Sequence, residues 1–278
     1  MISLSFNLSP DIKTCLTQID DFRKEILLTP LTQTKLVELQ WNARQAYLTS
    51  WESLLGNHRV TTAKLTIAFD HVRQAWTGSP VSVSTGVIAP LSKLLTSRDA
   101  AGSDTEKVLA YLDSDSIHPI LQAAIAHLNF APSPLACLVS LIYLARRGYD
   151  GNWMVCIDQF WPSHQNAYKN VLGQSQMAAS ITPWLEFYTQ GALYQFGLTH
   201  TAVLHPSKET SRGIWALSDR EKAILNVLEK PGTSITNRDV HKRFKISQVT
   251  ASRDLAKLAA LNLVYPHGHG RSVYYTRV

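Results

Sequence analysis

Cysteine, charge and long apolar runs are all scarce in this chain of 278 residues. The three cysteines, Cys15, Cys137 and Cys156, are odd in number and far apart, which excludes a disulfide framework and a cysteine-based zinc motif. The best apolar run, Leu135 to Ala145, is far shorter than the ~20 residues of a membrane helix, and the N-terminus lacks the pattern of a secretory signal. Charged residues make up 17% and apolar residues 45% of the chain, which excludes a disordered protein. These absences predict a soluble, cytoplasmic protein with no membrane partner.

Motifs of common enzyme chemistry are missing as well. The sequence contains no Walker loop, no Gly-x-Gly-x-x-Gly, no His-Glu-x-x-His and no Gly-x-Ser-x-Gly. The ten histidines are scattered and show no spacing that indicates shared metal ligation. We therefore expect no metal ion and no cofactor.

The positive charge is concentrated at one end of the chain. Residues 1–217 carry 16 Lys/Arg and 16 Asp/Glu, whereas residues 218–278 carry 11 Lys/Arg and 5 Asp/Glu. The whole formal excess of +6 thus lies in the last 61 residues. Such an asymmetry indicates a C-terminal module that meets a polyanion, most often nucleic acid, although a solvated basic surface without a partner has the same composition.

The C-terminal segment has the pattern of a helix-turn-helix domain. Ser218 and Glu221 have the spacing of a capping box, and Thr236 and Ser247 are suitable caps for two further helices. In the third helix Ala251, Leu255 and Leu258 fall on one face, which leaves polar and cationic residues on the other. Two short helices followed by a helix of this kind are typical of DNA-binding proteins.

A predicted hairpin follows the third helix. Residues 263–265 and 272–275 have strand-like composition, and the segment between them contains His267, His269 and Arg271 among glycines. The module is thus predicted to be a winged helix. Residues 250–255, with the Gly270-Arg271 turn and the Tyr274-Tyr275 ending, resemble the winged modules of bacterial transcription regulators and those that follow Fic domains. A winged helix used for protein contacts remains the alternative.

The first 200 residues are predicted to be mostly helical, and parts of them resemble Fic-domain proteins. The run 118–130 is similar to the helix that precedes the active loop of these proteins, and the run 141–150 is similar to the helix that follows it. Tyr168, Leu172 and the run 181–187 resemble the last segments of the same domain, and residues 6–20 resemble its N-terminal helix. The resemblance implies an all-helical domain with nucleotidyl-transferase ancestry.

The catalytic loop of that family is missing. Active Fic enzymes carry His-Pro-Phe-x-(Asp/Glu)-Gly-Asn-(Gly/Lys)-Arg, which supplies a base, a magnesium ligand and a phosphate cradle. Here the corresponding residues 131–137 read Ala-Pro-Ser-Pro-Leu-Ala-Cys, and the interval between Phe130 and Gly148 is about ten residues too short. His118-Pro119 and Asp150-Gly151-Asn152 copy fragments of the motif without its other residues, so the first is predicted not to be catalytic and the second to be a turn.

A second family feature is lost with the loop. Many Fic enzymes carry an inhibitory helix, (Ser/Thr)-x-x-x-Glu-(Gly/Asn), whose glutamate pairs with the loop arginine. The matching run 50–57 has Leu55 in place of the glutamate, and Glu52 lies three residues earlier. A restraining carboxylate is unnecessary where no catalytic arginine remains. The two losses together predict a Fic-like domain that has no catalytic residues.

The sequence therefore predicts a mainly α protein with a Fic-like domain (1–205), a linker (206–217) and a winged helix-turn-helix domain (218–278). We expect a homodimeric transcriptional regulator that binds double-stranded DNA, with an unidentified ligand or protein at the helical domain. The alternatives are an AMP-transferase with an atypical loop and a protein-binding scaffold. Base contacts are expected mainly from Ser252 and Arg253 of the third helix, with help from Gln248 and Thr250. Contacts to DNA phosphates or the minor groove are expected from six further residues: Arg238, Lys242, Lys257, His267, His269 and Arg271.

Overall fold

The computed structural model describes residues 5–55, 60–76, 82–96, 103–113, 116–131, 133, 135–205, 217–228, 233–260, 263–267 and 273–277. The chain separates into two compact units, Met1–Ser207 and Lys208–Val278. The first unit, here called the helical unit, consists of helices. The second, here called the C-terminal unit, combines three helices with a small sheet in the part that the structure describes. No helix within the described segments is both long and apolar enough to cross a membrane.

Ten α-helices form the described part of the helical unit. Ser9 caps the first of them by accepting a hydrogen bond from the Ile12 amide at 3.3 Å, and Pro10 occupies its first turn, where no amide donor is needed. The helices are α1 (Pro10–Leu28), α2 (Gln33–Leu55), α3 (Thr62–Trp76), α4 (Thr85–Thr96), α5 (Ser103–Leu112), α6 (Pro119–Phe130), α7 (Leu135–Arg146), α8 (Phe160–Ser163), α9 (Gln165–Met177) and α10 (Thr182–Leu204).

Helices α6 and α7 form the centre of this unit. All residues from Ile120 to Leu128 and from Leu135 to Ala145 are buried. A helix that is apolar on every side is stable only when other elements surround it, and α3, α4, α5 and α10 pack around this pair. The two helices are joined by residues 131–134 alone. The predicted central pair is confirmed.

The segment after α7 begins with a predicted turn and continues into short helices that the sequence patterns did not predict. A turn over residues 147–154 uses left-handed backbone at Gly148, Gly151, Asn152 and Trp153. The Asp150 carboxylate closes it by accepting from the Trp153 amide at 3.0 Å, so this segment is the turn expected from its composition. A short 3₁₀ helix, α8 and α9 follow, which pack large aromatic side chains, Trp161 and Tyr168 among them, against α10.

The C-terminal unit has the element order of a winged helix. It contains α11 (Asp219–Val227), β1 (Ser234–Thr236), α12 (Asn237–Phe244), α13 (Gln248–Ala260), β2 (Val264–His267) and β3 (Tyr274–Arg277). The strands form an antiparallel sheet in the order β1-β3-β2. Both hairpin strands lie one to two residues later than predicted, and β1 was not predicted because three residues are too few for an alternating pattern.

The caps of this unit are those expected from the sequence. Ser218 and Glu221 form a complete capping box on α11, and Thr236 and Asp239 form another on α12. The core contains Ala251, Leu255 and Leu258 of α13, each with no exposed surface, together with side chains of α11, α12 and β2. This packing fixes which side of α13 faces outward.

Candidate DNA-binding surface and the Fic-like centre

The N-terminal half of the outward side of α13 is a compact polar surface with one apolar member. Ser247 caps the helix by accepting from the Thr250 amide at 3.1 Å. Gln248, Ser252 and Arg253 are exposed, and so is Val249, with 63% of its surface accessible. At 100° per residue these side chains share one face. We call the four residues Gln248, Val249, Ser252 and Arg253 the outer face of α13.

Thr250 lies beside this face rather than on it. Its side chain is half-buried, and its Oγ1 lies 2.9 Å from Ser247 Oγ. The hydroxyl therefore takes part in the cap. The sequence placed Thr250 with the base contacts because it lies near the start of the helix; in the structure its partial burial and its contact with Ser247 distinguish it from the four exposed residues.

Lys257 has a partner within the domain. Its Nζ donates to Glu221 Oε2 at 2.9 Å, and the Glu221 side chain is 5% exposed. Burial alone would raise the pKa of Glu221, but the hydrogen bonds from Lys257 and Ser218 outweigh it and lower that pKa. Lys257 thus stabilises the packing of α11 on α13, a role that sequence spacing of 36 residues did not reveal.

A second ion pair joins the same two helices. Arg220 donates to both carboxylate oxygens of Asp254, at 2.6 and 3.1 Å, and the Asp254 side chain is 7% exposed. Bidentate pairs of this kind fix geometry as well as charge. The two pairs hold α13 at a defined rotation, which keeps the outer face of α13 directed away from the core.

Helix α12 carries the other described cations of the candidate surface. Arg238 and Lys242 are exposed and one turn apart, as predicted. Arg243 and Lys245 are exposed as well, although the sequence analysis did not assign them a role. Lys245 ends α12 with a left-handed backbone (φ 50°), and only Ile246 and Ser247 separate it from α13. This short turn is typical of a helix-turn-helix.

The wing is described only at its base. His267 is half-buried; its ring stacks on Tyr274 with centroids 4.9 Å apart, and its Nε2 lies 2.8 Å from Thr276 Oγ1. The ring therefore packs against β3. His269 and Arg271, which the sequence places at the tip, lie outside the described residues.

The helical unit shows how the shortened loop is accommodated. In the chain, residues 131–134 connect α6 directly to α7, and the Ala131 amide donates to the His127 carbonyl at 3.0 Å to end α6. Ser133 helps to begin α7 by accepting from the Leu135 amide at 3.2 Å. The connection contains no side chain with the chemistry of a base, a magnesium ligand or a phosphate-binding cation.

His118 has a structural role at the other end of α6. Its Nδ1 accepts from the Ile120 amide at 3.2 Å, so the ring caps the helix. Its Nε2 lies 3.2 Å from Asp20 Oδ1, which also accepts from Tyr149 at 2.5 Å. Burial lowers the pKa of His118. These contacts explain the His118-Pro119 pair as a helix start.

The run that resembles an inhibitory helix is also used for packing. Trp51 is buried, and its indole donates to Asp158 Oδ2 at 2.6 Å. Glu52 is exposed and contacts Thr62. This glutamate therefore lies on the side of α2 that faces away from the core.

A buried polar cluster lies beside the α6–α7 pair. His127, Cys137 and Asp158 have ligand-type atoms within 4.8 Å of one another, and within the described ranges they are the residues grouped closely enough to hold a metal ion. Both oxygens of Asp158 already accept indole hydrogen bonds, from Trp51 and Trp161, and His127 Nε2 lies 2.8 Å from the Tyr168 hydroxyl. We interpret the cluster as a hydrogen-bond network that supports the core.

Burial determines the protonation of this cluster. It raises the pKa of Asp158 to about 6, although hydrogen bonds from two indoles and a thiol lower that pKa. It lowers the pKa of His127 to about 3 and raises that of Cys137 well above its usual value. The cluster could not be predicted from the sequence, because its members are separated by 10 and 21 residues and follow no motif.

Comparison with known proteins agrees with both halves of this description. Residues 220–278 match the family described as DeoR-like helix-turn-helix domain. The chain is similar to the crystal structure of a Fic family protein from Desulfovibrio desulfuricans G20, with a TM-score of 0.53 and 14% identity over 99% of this chain and 98% of that chain. No curated protein sequence matches.

These similarities confirm the resemblance to Fic-domain proteins and the predicted fold class. The chain is mainly α, with a Fic-like helical fold and a C-terminal helix-turn-helix domain. At 14% identity the likeness to the Fic protein concerns the fold alone. The helix-turn-helix match covers the segment that contains the outer face of α13 and the cations of α12.

Proposed function

We propose that this protein is a sequence-specific, DNA-binding transcriptional regulator. The observation that supports this most strongly is the outer face of α13, where three polar side chains and one valine project from the second helix of a helix-turn-helix. In such domains that helix enters the major groove and its N-terminal part contacts base edges. Exposed cations on α12 and the excess charge of residues 218–278 supply the attraction to the phosphate backbone.

Individual roles follow from side-chain chemistry. Arg253 suits bidentate hydrogen bonds to guanine, Gln248 suits adenine, and Ser252 can donate to or accept from several bases. Arg238 and Lys242 suit phosphate oxygens, with His269 and Arg271 of the wing tip as further candidates. Thr250, Lys257 and His267 belong to the same proposed surface, but their hydrogen-bond partners in the domain support an indirect role.

The Fic-like domain is proposed to act without catalysis. In support, the connection 131–134 contains no histidine, acidic residue, glycine, asparagine or arginine, the residue types on which the chemistry of the Fic loop depends. One winged helix gives modest affinity, so a helical domain that brings two copies to a palindromic site would serve a regulator well. A small ligand or a protein at this domain would then control DNA binding. The proposed boundaries are 1–205, 206–217 and 218–278, and the proposed location is the cytoplasm, on the nucleoid when bound to DNA.

The test is selection of DNA sequences from a random library by the full chain, followed by affinity measurements. A regulator enriches one motif, and Arg253→Ala then weakens binding to it by ~1–3 kcal/mol and relaxes the preference at one base pair. Lys222→Ala is the matched control, because it removes an exposed cation from α11 in the same unit. An equal loss on all sequences would make Arg253 a phosphate contact, and no enrichment would favour a protein-binding scaffold.

The enzymatic alternative rests on the Fic-like fold over the whole chain. It predicts metal-dependent transfer of AMP from ATP to a protein hydroxyl. Incubation of the purified chain with labelled ATP, Mg²⁺ and a cell extract measures this directly. We expect no labelled protein above the level of a heat-inactivated sample, and labelling would contradict the non-catalytic proposal.

A further inference from the structure

Val249 is an unusual member of the outer face of α13. It is 63% exposed, and its neighbours on that face, Gln248, Ser252 and Arg253, are polar. Among the described residues of the C-terminal unit, the large apolar side chains with comparable exposure are Val249 and Tyr274, and Tyr274 stacks on His267. Val249 therefore stands out as an apolar group that the domain itself does not cover.

The position of Val249 on the helix adds to this argument. It is the second residue of α13, in the turn that approaches the bases most closely when a helix of this type enters the major groove. Its direction differs by ~40° from that of Arg253 and by ~60° from that of Ser252 at 100° per residue. When α13 lies in the groove so that Arg253 contacts a base edge, the isopropyl group of Val249 therefore also lies at the floor of the groove.

The major groove offers one apolar group to such a side chain. Of the four bases only thymine carries a methyl group there, at C5, and apolar side chains contact it. We propose that Val249 reads a thymine through this methyl group and so contributes to the operator preference of the protein. This inference rests on the proposed function, since it requires that α13 lies in the major groove.

The helix also sets where the thymine lies. Val249 and Arg253 are four residues apart, which corresponds to ~6 Å along the helix axis. Base pairs are spaced by ~3.4 Å, so the thymine lies about one to two base pairs from the base that Arg253 contacts. The contacts of Val249 and Arg253 thus lie in one groove but on different base pairs, so substitution of each base measures one contact.

The experiment is a double-substitution cycle on the sequence selected by the full chain. Each thymine in the motif is replaced in turn by deoxyuridine, which removes only the methyl group, and binding is measured for the wild type and for Val249→Ala. We expect one deoxyuridine to weaken wild-type binding by about fourfold, the equivalent of one buried methyl group, and to have no effect on Val249→Ala. Val37→Ala, an equally conservative change at an exposed valine of the helical unit, is expected to respond as the wild type does.

Three results would overturn the inference, and they differ from one another. If no deoxyuridine near the base contacted by Arg253 weakens binding of the wild type, no methyl contact exists. Equal sensitivity in the wild type and Val249→Ala means that another residue makes the contact. Failure of the library selection to enrich any motif removes the proposed function and the reading of thymine with it, whereas the first two results leave sequence-specific binding intact.

Discussion

Two glycines in helices of the same unit predict opposite effects of one substitution. Gly191 lies inside α10 and is buried, whereas Gly173 lies inside α9 and is exposed. A Cβ at Gly191 would come within 2.7 Å of Phe160 Cδ1 and within 2.8 and 2.9 Å of two ring atoms of Trp161. At Gly173 no atom lies within 4 Å of a new Cβ. Alanine should therefore fit at the second position only.

The expected magnitudes follow from two competing effects. Alanine is favoured over glycine in a helix interior by about 1 kcal/mol, so Gly173→Ala should stabilise the protein by up to this amount. At Gly191 the same gain is opposed by overpacking, which typically costs ~1–3 kcal/mol. Trp161 has no exposed surface, so its ring has little room to move. The free energies of unfolding of the two variants should therefore differ by ~1–3 kcal/mol.

Denaturant unfolding followed by tryptophan fluorescence measures this difference, because six of the seven tryptophans lie in residues 1–207. Thermal unfolding gives a second estimate, with ~2–4 °C in Tm for each kcal/mol in a domain of this size. Equal stability of Gly191→Ala and Gly173→Ala would contradict this prediction, since it would mean that α10 does not pack closely against Trp161.

Two further predictions concern charged groups. Lys242→Ala should reduce the slope of log affinity against log salt by about one and leave stability unchanged. Lys257→Ala should instead lower the Tm, because Glu221 loses its cation. A reduced salt slope for Lys257→Ala with an unchanged Tm would make Lys257 the phosphate contact. The pKa of His127 is about 3 in the folded chain and ~6.5 in the unfolded chain. Between these pH values His127 is therefore protonated in the unfolded chain and neutral in the folded chain. Stability of the wild type should thus fall on acidification by up to ~1.4 kcal/mol per pH unit relative to His127→Gln, and parallel pH profiles of the two proteins would contradict this assignment.

Local patterns of the sequence predicted the elements that depend on neighbouring residues. The capping box at Ser218, the cap at Thr236 and the apolar stripe of Ala251, Leu255 and Leu258 are all present in the structure, because caps and helix faces are set within a few residues. The central pair α6 and α7 was predictable for the same reason. Their sequences are apolar over whole turns and are separated by prolines.

Contacts between distant residues could not be predicted in this way. The ion pair of Lys257 with Glu221 and the meeting of His127, Cys137 and Asp158 depend on how helices pack, and no spacing in the chain indicates either. β1 was missed because its three residues form no alternating pattern and its partner, β3, lies about 40 residues later. Val249 was visible in the sequence, but its exposure became informative only when the outer face of α13 was defined.

The central claim is that the C-terminal unit reads DNA through α13. The most direct test is anisotropy binding of the full chain, at two salt concentrations, to DNA upstream of its own gene, with unrelated DNA as competitor. Arg253→Ala and Lys222→Ala are measured in parallel. We expect tight binding that resists the competitor, weakens with salt, is reduced by Arg253→Ala and is retained by Lys222→Ala. The opposite result has three parts: binding no tighter than to unrelated DNA, both variants equal to the wild type, and no motif enriched by library selection. Together these would contradict the proposal that α13 binds DNA.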